Sequence, residues 1–240
     1  MASLEGLTVQ SRRTFLKVAG GAAVTAASLS AFACGDDEDE GSGQQSKLEP
    51  KRGGVLLMTV GHAVSNEKLD PALQAAQNDW IYSSQVFEGL TNYDTDFNPV
   101  PVLATKWEVS DDVKSYTFHL REGVKFSDGS PFTAKDAAYT FKTVLDPELG
   151  SQLAGTLAPF LDPTGLHVVD DLTLRIDLKS PFAELPVLIG GVPGGIVKEG
   201  SRPITSVDKA IGTGAFKFKS FKPGQSWEMT RNEFYWDSKL

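Results

Sequence analysis

Residues 107–121 read WEVSDDVKSYTFHLR, and apolar and polar side chains alternate on both sides of the Ser-Asp-Asp centre of this stretch. Tyr116, Phe118 and Leu120 share one face of an extended chain, and the residues between them share the other. An alternation with a period of two is typical of a strand that is buried on one side. The stretch therefore predicts a β-hairpin with one buried face.

The same alternation marks two further hairpins. Residues 172–178 (LTLRIDL) follow Val168-Val169 across an Asp-Asp pair. Residues 216–219 (FKFK) and 226–230 (SWEMT) flank Pro223-Gly224, a dipeptide that favours a turn. Each pair of alternating segments predicts two antiparallel strands.

The clearest helix start in the sequence is at Thr133. A threonine suits the N-cap position, and Asp136, three residues later, completes a capping box. Asp146-Pro147 ends the helix, because the residue before a proline disfavours the helical conformation. The buried face of this helix is predicted to consist of Ala137, Phe141, Val144 and Leu145.

Three weaker signals complete the pattern. Residues 55–60 (VLLMTV) form a continuous apolar run that predicts a buried strand. Residues 79–90 have an imperfect helical period, and residues 182–189 predict a short helix interrupted by Pro186. Strands and helices do not alternate regularly, so a mixed α and β fold is favoured over a doubly wound parallel sheet.

Composition excludes several classes of protein. The 240 residues have a formal net charge of −8, which disfavours nucleic acid as a partner, because nucleic-acid binding depends on neutralising phosphates. The single cysteine excludes an intramolecular disulfide and a cysteine metal site, and no metal or cofactor is expected. Neither a G-x-S-x-G nor an H-E-x-x-H motif is present in the sequence, so an enzyme is disfavoured.

Residues 1–34 have the organisation of an export signal. Arg12-Arg13 lies within SRRTFLK, a twin-arginine pattern, and residues 18–33 that follow carry no charge and are rich in Ala, Gly and Ser. A membrane-spanning helix needs about 20 strongly apolar residues. A twin-arginine signal peptide is therefore favoured over a lasting membrane anchor.

The junction after this signal has two interpretations. Ala31-Phe32-Ala33 is an A-x-A site whose cleavage would release the protein. Cys34, the next residue, is where a lipoprotein would be cut and acylated, although Phe32 departs from the usual lipobox. Lipid attachment at Cys34 is favoured because the only cysteine lies at this junction. The predicted location is the periplasm or the outer face of the cytoplasmic membrane.

Residues 35–52 (GDDEDEGSGQQSKLEPKR) contain almost no large apolar side chain. Such a segment cannot bury enough surface to order itself, and it predicts a flexible acidic linker. The predicted domain organisation is thus a signal peptide at 1–34, this linker at 35–52 and a folded domain at 53–240.

Several segments resemble, in order and spacing, the family 5 extracellular solute-binding proteins, which include the dipeptide, oligopeptide and nickel binders of ABC importers. The resemblance spans about Arg52 to Asp237. It is carried by RGG (52–54), LDPA (69–72), QVFEGL (85–90), LATKWEVSDD (103–112), YTFHLR (116–121), GVKFSDG (123–129), FTAKD (132–136), GTGAFKF (212–218) and RNEFYW (231–236).

The resemblance implies a two-lobed periplasmic-binding-protein-like fold that closes over its ligand by hinge motion. The implied function is the extracytoplasmic binding component of an ABC importer, with a peptide or similar small solute as ligand and the ABC permease subunits as partners. Family members are roughly twice this length, so residues 53–240 are expected to form a partial solute-binding domain, mainly the first lobe with its inserted subdomain. An incomplete cleft and an open sheet edge lead us to expect weak binding and poor solubility.

The resemblance also implies two ligand-binding segments. The first, at the mouth of the cleft, contains His62, Ala63, Val64, Ser65 and Asn66, and the alternative is an ordinary exit from a strand. The second is the turn Gly212, Thr213 and Gly214, and the alternative is a tight structural turn. Asp128 is interpreted as a turn residue, and His119 as a solvated side chain. Packing rather than ligand stacking is expected of the four tryptophans, Trp80, Trp107, Trp227 and Trp236.

Two other functions remain alternatives to import. A sensory or binding lipoprotein of the cell surface would keep the fold without the transporter, and the sequence does not separate it from an importer component. A secreted hydrolase would need a nucleophile with a base, two poised carboxylates or a metal cluster, and no motif in the sequence indicates one.

Overall fold

A computed structural model describes residues 53–60 and 67–237 of the chain. The helices in these ranges are α1 (Gln77–Val86), α2 (Ala134–Val144), α3 (Gln152–Leu157) and α4 (Leu185–Leu188), with short 3-10 helices at Pro71–Leu73, Pro163–Gly165 and Val207–Lys209. The strands are β1 (Thr91–Tyr93), β2 (Pro99–Pro101), β3 (Ala104–Val109), β4 (Ser115–Leu120), β5 (Leu166–Asp170), β6 (Thr173–Asp177), β7 (Phe216–Lys222) and β8 (Ser226–Arg231). The predicted mixed α and β class is confirmed.

The main sheet consists of antiparallel strands in the order β3-β4-β6-β5. The hairpin predicted at residues 107–121 is confirmed, with Trp107 of β3 opposite Phe118 of β4. Tyr116, Phe118 and Leu120 are buried, as their alternation predicted. Removing this apolar face from water stabilises the strand pair.

The second predicted hairpin extends the same sheet. Strands β5 and β6 are antiparallel, and β6 also pairs with β4, so that Phe118 lies opposite Leu174. Leu174 and Ile176 are fully buried. One continuous apolar face therefore runs across both hairpins.

Helix α2 lies against β5 and β6 and buries its predicted apolar face. The side chain of Asp136 accepts hydrogen bonds from the backbone N–H of Thr133 at 2.8 Å and from its hydroxyl at 3.1 Å. This reach of the third helical residue back to the cap is the predicted capping box. It satisfies a backbone donor that the first turn of a helix would otherwise leave without a partner.

A second apolar cluster joins α1 to the hairpin of β7 and β8. The ring of Tyr82 in α1 lies 5.8 Å from that of Phe218 and 5.5 Å from that of Phe221. Strands β7 and β8 are antiparallel, and Lys222 pairs with Ser226 across the predicted Pro223-Gly224 turn. The third predicted hairpin is therefore confirmed.

The strand predicted at residues 55–60 is wrong. These residues form no secondary structure, and Val55, Leu56 and Leu57 are 89%, 88% and 91% exposed. A strand requires a hydrogen-bonding neighbour, and no strand within residues 67–237 pairs with this run. An apolar run alone does not supply that neighbour.

Two helix predictions need correction at their bounds. The helix predicted at 79–90 ends at Val86, because the backbone that follows bonds to other segments: Val86 O accepts from Gly214 N at 2.9 Å, and Glu88 O from Ile196 N at 2.8 Å. The helix predicted at 182–189 is α4, and Pro186 is its second residue, where a proline is tolerated, rather than an interruption.

Within the two described ranges, every helix is too short or too polar to cross a membrane.

Candidate functional site

A surface cavity of about 250 Å³ is lined by residues of the first 3-10 helix, α1, α3 and the region around α4. Its apolar lining comes from Pro71, Ala72, Leu153, Leu188 and Pro193. Trp80, Gln74, Gln152 and Thr156 supply the remainder. A concave, mainly apolar surface with a few polar groups is the usual form of a small-molecule site.

Trp80 projects from the first turn of α1 and is 38% exposed. An indole ring offers a large flat apolar surface and an N–H donor at low conformational cost. The prediction that Trp80 packs in the core is wrong, because its side chain is open to solvent at the cavity. It lies at the cavity because the adjacent Asp79 and Tyr82 take the buried side of the helix.

Gln74, next to the 3-10 helix, is 5% exposed and places only half of its amide in a hydrogen bond. Its Nε2 donates to the carbonyl of Lys68 at 2.8 Å, whereas its Oε1 is buried and has no partner among the described residues. The hydroxyl of Tyr82 donates to the same Lys68 carbonyl at 3.0 Å. A buried acceptor without a donor is unusual in folded proteins and calls for an explanation.

A buried ion pair holds the segment that carries Gln74. Asp70 is 1% exposed, and its carboxylate accepts from the Ala72 backbone N–H at 3.0 Å as the cap of the 3-10 helix. The guanidinium of Arg202 donates to the same carboxylate at 2.9 and 3.1 Å. This bidentate contact fixes the turn of the LDPA segment.

A second cavity, of about 260 Å³, differs from the first in its polar groups. His167 and Asp177 face each other there at 3.1 Å, and Asp162 accepts a hydrogen bond from the Thr164 backbone at 2.8 Å. The Arg175 guanidinium lowers the pKa of Asp177 to about 2, so this carboxylate is ionised and paired at neutral pH. Because the polar groups of the second cavity already bind one another, fewer of them are available to a ligand. The first cavity is therefore the better candidate for a binding site.

A cluster of side chains around one part-buried carboxylate lies where four distant segments of the chain meet. We call it the Glu88 cluster, formed by Glu88, Arg121, Thr213, Tyr235 and Trp236. The Glu88 carboxylate accepts from the Thr213 hydroxyl at 2.8 Å, the Trp236 indole at 3.0 Å and the Tyr235 hydroxyl at 3.2 Å. Burial raises the pKa of Glu88, although the three donors and the charge of Arg121 act against the rise.

Arg121, the remaining member of the Glu88 cluster, lies over the face of the Trp236 ring, with its guanidinium carbon 4.1 Å from the ring centre. A guanidinium over an indole face is a favourable cation–π contact. The predicted packing role of Trp236 is therefore confirmed. Packing is also confirmed for Trp107 and Trp227, whose rings lie 6.2 Å from Phe118 and 5.9 Å from Tyr82.

The predicted ligand-binding turn, Gly212 to Gly214, packs against the end of α1. A Cβ atom on Gly212 would lie 2.0 Å from the Val86 carbonyl oxygen, and one on Gly214 would lie 2.4 Å from that of Gln85. The glycines are thus required by a close approach of two backbones. None of the three residues lines the first cavity, and their contact with ligand stays a prediction.

The remaining predicted site residues stay untested. His62, Ala63, Val64, Ser65 and Asn66 lie outside the described residues, as does Cys34.

Two local predictions are confirmed. Asp128 accepts from the Ser130 backbone at 2.9 Å, beside Gly129 with φ +85°, so the Asp-Gly turn has the predicted local role. His119 is partly exposed on the sheet and lies 3.1 Å from Glu108. Within residues 53–60 and 67–237, no group of three His, Cys, Asp or Glu side chains is placed to hold a metal ion.

The family model of the bacterial extracellular solute-binding proteins, family 5 (middle region), matches residues 98–240. The chain belongs to family 5. The resemblance that the sequence motifs carried is thereby confirmed.

Family 5 relatives with peptide-binding names align over most of the chain. Dipeptide-binding protein DppE of Bacillus subtilis is 28% identical over 228 residues, which is 88% of this chain and 42% of the relative. Oligopeptide-binding protein OppA of the same organism is 31% identical over 215 residues, or 82% of this chain and 39% of the relative. The chain thus spans about two-fifths of the length of these relatives.

Solved structures of the family share the fold of the chain. The murein tripeptide-binding protein MppA in an unliganded open form matches with a TM-score of 0.65 and 28% identity, over 73% of this chain and 38% of MppA. OppA of Listeria monocytogenes bound to peptide matches with a TM-score of 0.65 and 26% identity, over 74% and 38%. The described fold is part of a lobe of this type.

Sequence reasoning missed Gln74 altogether and assigned Trp80 to packing. The signal that was available lay in the LDPA segment, whose Asp70-Pro71 break starts the short 3-10 helix that lines the cavity. What the sequence did not show was that α3 and Pro193 come to the opposite side of the same cavity.

Proposed function

We propose that the chain belongs to the extracytoplasmic substrate-binding component of an ABC importer, which captures peptides or similar small solutes and delivers them to permease subunits. Membership of family 5 supports this proposal, as do the peptide-binding names of the relatives. The observation that carries it in the structure is the cavity at Trp80 and Gln74. A peptide in this cavity would meet the exposed indole of Trp80 and the side chain of Gln74, whose amide oxygen has no partner among the described residues.

The cavity is open at the protein surface, as one side of a binding site that closes would be. A ligand held on one face keeps much of its surface in water, and affinity grows when a second face excludes that water. Binding by the 240-residue chain alone is therefore expected to be weak. The predicted two-lobed closure supplies the second face in the complete site.

The binding proposal is tested by titrating the chain with the tripeptide Ala-Tyr-Ala in a calorimeter. The tripeptide is expected to release or absorb heat and to shift the indole N–H resonance of Trp80, which the Trp80→Phe variant identifies. Trp80→Ala is expected to weaken binding about tenfold, since it removes a large contact surface. Phe97→Ala removes another exposed aromatic ring outside the cavity and is the matched control. Equal loss in both variants, or no binding of any peptide, would count against the proposal.

We further propose that the protein is exported by its twin-arginine signal and held at the membrane by acylation of Cys34. A single acyl chain binds a membrane only marginally, so stable attachment needs a second lipid chain or another membrane contact. Mass spectrometry of the mature N-terminus decides between lipid attachment and release. An unmodified Cys34 at the N-terminus would exclude the anchor and leave export intact, whereas an uncleaved signal in exporting cells would exclude both.

A further inference from the structure

The lining of the first cavity is uncharged, which is unusual for a protein with 31 acidic and 23 basic residues apart from histidine. None of the described residues that line the cavity carries a charged side chain. Asp70, which precedes the lining residue Pro71, is buried and paired with Arg202 at 2.9 Å. A ligand in the cavity therefore meets apolar surface and neutral polar groups.

The orientation of the Gln74 amide is fixed by its surroundings. Its nitrogen faces the Lys68 carbonyl at 2.8 Å. A flipped amide would bring its oxygen to that carbonyl, two acceptors facing each other, and would lose the hydrogen bond. The oxygen therefore has no donor among the described residues. Gln74 also lines the cavity, so a ligand group held there lies next to the residue that lacks this donor.

We propose that this cavity selects an uncharged ligand group bearing an N–H or O–H donor, and that Gln74 is the specificity-determining residue that accepts its hydrogen bond. The inference rests on the proposed function and names the class of ligand group for the same cavity. A donor would satisfy the buried oxygen, whereas a ligand without one leaves it unpaired. A charged group would lose its hydration against a lining that offers no opposite charge.

The volume of the cavity further restricts the class of ligand group. The cavity of about 250 Å³ accommodates one large side chain rather than a folded partner. Trp80 presents its ring to such a group, and aromatic rings favour offset or edge-to-face contact with one another. The ligand group with the best fit is thus a neutral aromatic side chain with a polar donor at its far end.

A matched series of tripeptides tests the inference on the 240-residue chain. Each has the form Ala-X-Ala, where X is tyrosine, phenylalanine, 4-aminomethyl-phenylalanine or 4-carboxy-phenylalanine, so that only the para substituent changes. Calorimetry reports binding anywhere on the chain, and the Trp80 indole resonance reports binding at the cavity. We expect the tyrosine peptide to bind about tenfold more tightly than each of the other three.

Two variants separate the contribution of Gln74 from that of the rest of the cavity. Gln74→Met keeps a side chain of similar length without the acceptor, and it is expected to remove the preference for tyrosine over phenylalanine. Thr156→Asp adds a carboxylate to an exposed lining position and is expected to raise affinity for the aminomethyl peptide several-fold. Thr95→Asp adds the same charge at an exposed turn residue outside the lining and is the control.

The outcomes distinguish this inference from the function on which it rests. Equal affinity for all four peptides, or a tyrosine preference that survives in Gln74→Met, overturns the inference and leaves solute binding intact. Heat without any change at Trp80 also overturns it, because the peptide then binds elsewhere. No heat and no change at Trp80 with any peptide overturns the proposed function together with the inference. Gln74→Met also loses the hydrogen bond to Lys68, so its thermal unfolding is measured to show whether the fold survives. If it does not, Thr156→Asp, which leaves that bond in place, still tests whether the charge of the lining selects the ligand.

Discussion

The cavity at Trp80 and the Glu88 cluster place polar groups in opposite situations. In the Glu88 cluster every partner is internal: one carboxylate accepts from Thr213, Tyr235 and Trp236. In the cavity, the buried oxygen of Gln74 has no partner among the described residues, and Trp80 is open to solvent. A satisfied network stabilises one arrangement of the chain, whereas an unsatisfied group beside a concavity leaves an interaction for a ligand.

We interpret this difference as a structural role for the cluster and the proposed binding role for the cavity, although both regions contain segments of the family resemblance. Glu88, Thr213 and Trp236 belong to the QVFEGL, GTGAFKF and RNEFYW segments, and they hold three parts of the chain together. The LDPA segment instead positions the edge of a cavity. Substitutions in the cluster should therefore lower stability, and substitutions in the cavity should lower binding.

The largest expected effect on stability is at the glycine turn that carries Thr213 of the Glu88 cluster. Gly214→Ala places a methyl group 2.4 Å from the Gln85 carbonyl oxygen, so one of the two backbones must move. We expect the free energy of unfolding to fall by about 3 kcal/mol, measured by urea denaturation. Gly155→Ala is the control, since no atom lies within 4 Å of its added methyl group. Equal stability of the two variants would contradict the close packing of the turn.

The next effect is at Glu88 itself. Glu88→Leu leaves the buried Thr213 hydroxyl and the Trp236 indole N–H without their acceptor, which should lower the free energy of unfolding by about 1–3 kcal/mol. Glu88→Gln keeps one oxygen acceptor and should cost less. If Glu88→Leu weakens peptide binding by a free energy similar to its loss of stability, the two regions do not have separate roles.

A pH titration sharpens the account of Glu88. Because burial raises its pKa in the folded state, protonation favours folding. The contribution of Glu88 to stability is therefore fully present below its ordinary pKa and is lost as pH rises through the raised value. The stability difference between the wild type and Glu88→Gln should accordingly shrink as pH rises across that window. A difference that stays constant would show that the pKa is not raised.

The smallest effect on stability is expected at Trp80. A side chain that is 38% exposed at the edge of a cavity makes few contacts in the core. Trp80→Ala should change the free energy of unfolding by no more than about 0.5 kcal/mol, while it weakens peptide binding. A large loss of stability in thermal unfolding would place Trp80 with the structural residues of the cluster instead.

Local patterns in the sequence predicted most of the strands and the best-formed helix. The period-two alternation located the hairpins of β3 with β4, β5 with β6 and β7 with β8, because one buried face imposes that period on each strand. Thr133 and Asp136 located the start of α2 because the capping box is formed by residues close in sequence. The strand prediction at residues 55–60 failed because it relied on a local apolar run. A strand also needs a neighbouring strand, which only another part of the chain can provide.

The candidate site was less predictable, because its residues are far apart in sequence. The lining of the cavity comes from residues 71–80, 152–156 and 188–193, which are brought together only by packing. Gln74 is unremarkable in the sequence, since nothing local shows that its nitrogen will be bound and its oxygen left unpaired. Trp80 looked like a packing residue because the imperfect period of its helix does not show which face is buried.

The sequence by itself determined the family, the hairpins and the capped helix, since these depend on ordered motifs or on contacts between near neighbours. The export signal stays a prediction from the sequence. Only the tertiary structure decided that helix α1 stops at Val86, that the glycine turn packs against its end, and that Glu88 gathers donors from residues 213, 235 and 236. It also decided that Gln74 and Trp80 border an uncharged cavity. The physical reason is that hydrogen-bond satisfaction and exposure belong to the packed arrangement of distant segments, which no local pattern records.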